Sequence, residues 1–391
     1  MIRRIRHIIF LRDVLLLSVS AFGGPQAHLA LFLKIFVEKR GYLSEQELIE
    51  LNALCQVLPG PTSTQTITAL GYRLGGHKLA YLTLVVWALP AVSIMTFLGI
   101  LMSKFYEQDI SINFTRFIQP MAVGFVGYAS IHIAWKVVRT KTAFILMAIS
   151  ALLLYAFPSP FILPVILLGA GALTAFKFKK QPVEDKDRIK IRWDNFILWA
   201  GVFIVAAVLG HYTRELPVRL FENFYRNGSL IFGGGHVLVP LLFTEFVEFK
   251  HYLSSEEFLV GFAFVQAVPG PVFSFCAYVG ALSMREYGIA GEIFGGLIAS
   301  AGIFLPGTFL IYFLIRFWNS LKQYRVIRAS IEGITAASTG LLITATVFMI
   351  EPLELNVLNL LILVGTFTLL NFIRGMAPLL IILGLIAGIF F

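Results

Sequence analysis

Long uncharged apolar runs, such as residues 79–103, alternate with short polar turns along most of the chain. As a helix rising 1.5 Å per residue, a run of that length crosses a hydrocarbon layer of about 30 Å. The pattern predicts an all-α, polytopic membrane protein. Four apolar segments are too irregular for plain spanning helices. Residues 8–36 would make a helix of roughly 43 Å, yet the middle holds Phe22-Gly23-Gly24-Pro25-Gln26. Proline removes a backbone donor and clashes with the preceding turn, and paired glycines weaken a helix further. Segment 218–246 is interrupted at Gly233-Gly234-Gly235-His236. Segments 47–70 and 257–281 are interrupted at Pro59-Gly60-Pro61 and Pro269-Gly270-Pro271. Two half-helices are expected at each break, as re-entrant hairpins or unwound spans.

The breaks are related to one another. Phe22-Gly23-Gly24, Tyr42-Leu43-Ser44, Gln56 and Pro59-Gly60-Pro61 all recur 210 residues later. Over 22–61 against 232–271, 16 of 40 positions are identical without a gap, where chance gives roughly 3. Leu89-Pro90 pairs with Leu305-Pro306, and Pro164 with Pro378. The chain therefore reads as a first repeat over 1–176, a charged cytoplasmic linker over 177–194, and an extra apolar segment plus second repeat over 195–391. The linker, Lys177 to Asp194, carries seven basic and four acidic residues.

The extra segment, Phe196 to Leu209, has no counterpart ahead of the first repeat. One added crossing turns the second repeat upside down. Loop charges agree. The loop Lys136–Lys141 carries three basic residues and no acid, whereas its counterpart near Glu351–Glu354 carries two acids and no base. The loop Lys104–Arg116 is balanced, whereas Arg316–Arg328 carries four basic residues. Basic loops stay in the cytoplasm, so corresponding loops are expected on opposite sides, in an inverted, antiparallel repeat of the kind common in transporters. A parallel duplication with incidental loop charges is the alternative.

Composition narrows the class. The chain is 58% hydrophobic and 14% charged, against about 25% charged in soluble domains. That excludes a soluble enzyme, a secreted disulfide scaffold and a disordered hub. Cys55 and Cys276, both in apolar stretches, build no disulfide framework and no metal site. The net charge of +9 points to cytoplasmic loops and away from nucleic acid. Arg3, Arg4 and Arg6 look like the start of a signal peptide, but Arg12 and Asp13 interrupt the apolar stretch that should follow. The N-terminus is therefore expected to be retained, in the cytoplasm. No phosphate loop, H-E-x-x-H or G-x-S-x-G motif occurs, so neither an ATP motor nor a hydrolase is expected, and no cofactor or metal is called for.

The chemistry on offer lies at the breaks. Broken helices in matching positions of two halves point to a substrate site, and half-helix N-termini present free N–H groups that suit an anion. Neutral polar residues flank them: Gln26, Gln56, Thr62, Ser63, Thr64 and Gln65 in the first half, and His236, Gln266 and Ser274 in the second. Carboxylates are almost absent from the predicted spans, with Glu332 the one near a span end, which argues against cation transport. Among His28, His132 and His236, the last stands at a break, opposite Gln26 of the other half. Arg12, Arg73, Arg226 and Arg285 read as interfacial anchors.

Together, Phe22-Gly23-Gly24-Pro25 with His28, the run Tyr42-Leu43-Ser44-Glu45-Gln46-Glu47, and Leu58-Pro59-Gly60-Pro61-Thr62 followed by Gly71-Tyr72-Arg73 resemble the chromate ion transporter family. The second-half echoes resemble its long, two-domain form. The resemblance implies secondary active export of chromate across the inner membrane, conferring resistance, with sulfate a related or exchanged oxyanion. Departures at Gly235 for Pro25 and Phe273 for Ser63 imply that the halves contribute unequally. Expected partners are a small oxyanion and the lipid bilayer, with a homodimer left open. A sulfate carrier, a passive anion channel and, least of all, a membrane enzyme are the rival readings.

Overall fold

A computed structural model describes residues 2–22, 24–108, 115–158, 162–176, 193–232, 235–316, 325–351, 353–354, 356–372 and 377–390. Among the described residues there is no strand. The first repeat comprises α1 (Ile2–Ser18), α2 (Gly24–Phe32) with a π-helical continuation Leu33–Lys39, and α3 (Glu45–Val57). It continues through α4 (Thr62–Glu107), α5 (Ile118–Val137), α6 (Lys141–Ala156) and α7 (Ile162–Ala175). The extra apolar segment forms α8 (Asp194–Thr213).

The second repeat follows the same plan. It has α9 (Leu216–Leu230), α10 (Gly235–Phe243) with π-helix Thr244–Phe249, and α11 (Ser255–Ala267). Then come α12 (Phe275–Ser283) after a 3-10 turn Val272–Ser274, α13 (Gly288–Leu314), α14 (Arg325–Ile350), α15 (Val357–Phe372) and α16 (Ala377–Phe390). Of the expected linker, only Trp193 and Asp194 fall among the described residues.

All four breaks interrupt helix where glycine and proline cluster. The first lies slightly earlier than expected: α1 ends at Ser18 and α2 begins at Gly24. Pro25 thus stands in the first turn of α2, where a missing N–H costs no helical bond. At each break the chain doubles back. Phe10 on α1 packs against Phe36 and Tyr42, ring centroids 5.6 and 5.7 Å apart, and Arg40 grips Asp13 through two bonds of 2.7 and 2.8 Å. In the second repeat Phe224 stacks on Phe246 at 4.7 Å.

The next pair of half-helices forms another hairpin in each repeat. It opens on a capping box, Ser44 with Glu47 or Ser254 with Glu257, that satisfies helix-start N–H groups on both sides. It closes through Thr66 donating to Asn52 at 3.3 Å, or through Tyr278 donating to the Glu257 carbonyl at 2.9 Å. Gly76 (φ 71, ψ −163) then redirects α4 into its long second part. Gly288 (φ 66, ψ −171) does the same between α12 and α13. A left-handed backbone at that bend favours glycine.

The remaining helices interlock between repeats: α5 packs on α15, and α14 packs on α6. Thr346 on α14 lies 2.7 Å from Ser130 on α5, and Thr344 on α14 donates to the Ala151 carbonyl of α6 at 2.8 Å. One end of the bundle gathers His7 with Leu74, Arg316 with Tyr72, and Thr140 with Glu332. The opposite end gathers Gln119 with Glu256 and Tyr155 with Phe348. Thr62–Glu107, Asp194–Thr213, Arg285–Leu314 and Ala329–Ile350 are long and apolar enough to cross a membrane. Large apolar side chains such as Leu152, Leu168 and Leu361 point outward, a surface that water does not tolerate and lipid does. The protein is membrane-integral.

Candidate functional site

The Pro-Gly-Pro turns lie at hairpin tips, and each tip reaches into the other repeat. The Gly60 N–H donates to the Ile231 carbonyl at 2.8 Å, and the Gly270 N–H donates to the Ala21 carbonyl at 2.9 Å. Ile231 and Ala21 are themselves 210 residues apart, so the two bonds are one contact made twice around a pseudo-two-fold axis. Both turns need glycine: Gly60 has φ +116 and Gly270 φ +107. A Cβ on Gly60 would also stand 3.2 Å from the Gly307 Cα. Gln65 clamps this crossing, donating to the Pro59 carbonyl at 2.8 Å and the Gly307 carbonyl at 3.1 Å.

Between the tips is a small cavity of about 10 Å³, lined by His28 from α2, by Pro61, Thr62 and Ser63, and by Pro271, Val272 and Phe273. That is room for roughly one water. The α4 N-terminus opens onto it with no side-chain cap from Pro61. The first N–H groups of a helix have no partner within it. His28 is 1% exposed, and neither ring nitrogen has a hydrogen-bond partner; the Ala21 backbone lies beside it, outside hydrogen-bonding geometry. Its ring meets Trp87 edge-on at 5.3 Å, and the Trp87 indole N–H donates to Thr64 at 3.1 Å. Ser274 from the second repeat is also buried with its hydroxyl unpartnered. Uncapped N–H groups and neutral donors in a buried pocket are suited to an anion.

The expected site residues divide accordingly. His28, Pro61, Ser63 and Pro271 come together in the cavity wall, with Pro59, Gly60, Thr64, Gly270 and Ser274 in the turns and helix starts behind it. Gln56 is exposed and Gln266 half-buried, and neither lines the cavity. Pro269 is half-buried beside the second turn. Gly23, Gly233 and Gly234 lie outside the described residues, as do the side chains of Gln26 and His236; Gly24 and Gly235 begin α2 and α10. His132 stacks on Tyr128 at 5.5 Å, away from this wall.

The expectation of few carboxylates concerned depth in the spans; burial within the protein is a separate matter, and several carboxylates are buried. Asp13, Glu245, Glu257 and Glu292 are all buried, whereas Glu332 is half-buried and accepts from Thr140. Glu245 is fully enclosed in a network of charges. Arg226 donates to it at 2.6 Å, Asn227 at 2.8 Å, and Lys250 lies 3.2 Å away, while Arg226 also binds Glu222 at 3.0 Å. Arg226 is thus part of a buried ion network. Along the sequence these groups stand near segment ends and read as interfacial; hairpin folding turns those ends inward. Glu257 is likewise ion-paired to Arg285. Beside that pair opens a vestibule of about 750 Å³ bordered by Tyr106, Glu248, His251, Tyr252 and Arg285.

The chain resembles curated proteins along nearly its whole length. It is 26% identical to an uncharacterized transporter of Methanocaldococcus jannaschii, covering 95% of this chain and 91% of that one. A probable chromate transport protein of Synechococcus elongatus is 26% identical, covering 96% and 93%. A chromate transport protein of Cupriavidus metallidurans is 24% identical, covering 95% and 90%. No solved structure matches. The chromate transporter profile matches residues 9–175 and 218–389, once in each repeat. With its paired breaks and two matched repeats, the chain belongs to the chromate transporter family.

Proposed function

We propose that the protein is a secondary transporter that exports chromate across the inner membrane and thereby confers chromate resistance, its N-terminus in the cytoplasm. The observation that carries this reading is the crossing of the hairpin tips. There an unpartnered, buried His28 faces the uncapped start of α4 in a cavity walled by both repeats. Matched helix breaks meeting at one point are the geometry in which carriers hold their substrate. A dianion there would accept from the Thr62–Thr64 N–H groups and from His28, without a cation in contact.

On this reading the repeats are inverted, the four hairpins re-enter from opposite faces, and transport is a rocking of one repeat against the other about the crossed tips. Grouping of Thr140 with Glu332 at one end, and of Glu256 with Gln119 at the other, supports it. The units are then 1–176 and 195–391, joined by a cytoplasmic linker.

Two experiments test this. A cysteine at Thr140 should be labelled only from the cytoplasm and one at Asn356 only from outside; labelling of both from one face overturns the inverted arrangement. Vesicles carrying the purified protein should accumulate labelled chromate down an imposed gradient, and excess sulfate should compete, because backbone donors distinguish tetrahedral dianions poorly. Vesicles that move neither anion overturn the oxyanion reading.

A further inference from the structure

Buried carboxylates fall into two kinds. Asp13 is held by Arg40, Glu245 by Arg226 and Lys250, and Glu257 by Arg285. Each has a cation within contact. Glu292 is different. It is 3% exposed, its Oε1 has no hydrogen-bond donor, and it enters none of the described ion pairs. A buried carboxyl with one oxygen lacking a donor, and with no cation in contact, is accommodated at far lower cost with its proton on.

Its position gives that proton somewhere to go. Glu292 lies in the first turns of α13, one turn beyond the Gly288 bend, where α13 packs against α4 of the other repeat. The Ser103 hydroxyl faces it from α4, outside hydrogen-bonding geometry and itself buried without a partner. The charged groups acting on it are Lys104 and Glu107 from α4 and Arg285 from the turn before α13. Arg285 also borders the 750 Å³ vestibule, as does Tyr106, one turn along α4 from Ser103. The α4–α13 contact joins the repeats, so it must shift when they rock. The fold does not require a carboxyl here. Counting from the matched bends at Gly76 and Gly288, the first repeat has Ala80 at this position, fully buried in its core.

We propose that Glu292 is a proton-binding site, protonated while the repeats are closed and ionised when the α4–α13 contact opens to the vestibule, so that oxyanion movement is coupled to a proton. The coupling rests on the transport reading above; the proton site does not. When the interface separates, water enters and Lys104 and Arg285 stabilise the carboxylate. Acid on the vestibule side therefore favours the closed state. No bond other than O–H is broken, and the proton passes to vestibule water.

The test has two arms. Infrared spectra of the purified full chain in lipid nanodiscs are recorded through a pH titration. Wild type should show a protonated-carboxyl C=O stretch at neutral pH that is missing from Glu292→Gln and present, shifted, in Glu292→Asp. In vesicles, chromate flux should change with vestibule-side pH by up to about tenfold per unit on one limb, and Glu292→Gln should flatten that limb while Glu292→Asp retains it. A wild type without the band, or a band that survives in Glu292→Gln, overturns the site. A wild-type pH profile in Glu292→Gln overturns the coupling. Vesicles that move no oxyanion while the band behaves as expected remove the transport reading and leave the proton site standing.

Discussion

The two repeats have the same backbone plan and opposite chemistry. Where the first places His28, Thr62, Ser63 and Gln65 around the tips, the second has Leu238, Val272, Phe273 and Phe275 at the positions 210 residues later. The first supplies the polar wall of the cavity and the second an apolar floor. Charge is distributed the other way. At the hairpin of α1 and α2 one Asp13–Arg40 pair suffices, with Arg40 32% exposed. The corresponding hairpin of α9 and α10 encloses Glu222, Arg226, Glu245 and Lys250. The capping-box glutamates repeat the contrast: Glu47 lies 3.7 Å from Arg73 in solvent, whereas Glu257 is buried against Arg285. Because the first repeat forms these hairpins without buried networks, the networks are not needed to make the fold. They distinguish a half that supplies the polar wall of the cavity from an ionically locked one.

The largest expected effect comes from breaking the lock. Glu245→Gln leaves Arg226 and Lys250 enclosed with Glu222 as their remaining counter-charge and should cost about 3–5 kcal/mol, seen as a lowered melting temperature in detergent. Asp13→Asn should cost less than half as much, because Arg40 reaches solvent. Equal losses would mean that the hairpins are anchored alike.

His28→Leu gives the first repeat the residue that the second carries. Removing one hydrogen bond to a charged ligand costs about 1.5–3 kcal/mol, so chromate flux should fall roughly tenfold to a hundredfold. The melting temperature should hold or rise, since an unpartnered buried polar group is lost. Unchanged flux would locate recognition elsewhere.

Exchanging the capping glutamates is a finer comparison. Glutamine at this position still closes the capping box, so the change isolates the ion pair. Glu257→Gln should cost about 1–3 kcal/mol and Glu47→Gln less than about 1 kcal/mol. The smallest effect is in acid. Hydrogen bonds from the Ser44 backbone N–H and hydroxyl hold the Glu47 carboxyl below its ordinary value of 4.5. Its contribution is therefore present above about pH 4.5 and lost as pH falls through the lower, folded value. Glu47→Gln should remove that acid limb, a small change because the group is largely solvated.

The all-α class, the two repeats and the four breaks were legible in the chain. Apolar run length, the 210-residue offset and the glycine–proline clusters are local properties, and a helix cannot pass unbroken through Gly-Gly-Pro or Pro-Gly-Pro whatever surrounds it. Side-chain direction was not legible. Gln56 and Gln266 stand three residues before their turns in the sequence, yet neither lines the cavity, while His28, in the middle of a short helix, does. Only the doubling back of each hairpin turned Glu245 and Arg226 from segment ends into an enclosed pair. Only the crossing of the repeats set Gly60 on Ile231 and Gly270 on Ala21, and brought Glu292 beneath Ser103. Sequence fixes where a helix must stop because that depends on neighbouring residues. What the stopped end meets depends on groups some 170 to 250 residues away, and packing alone decides it.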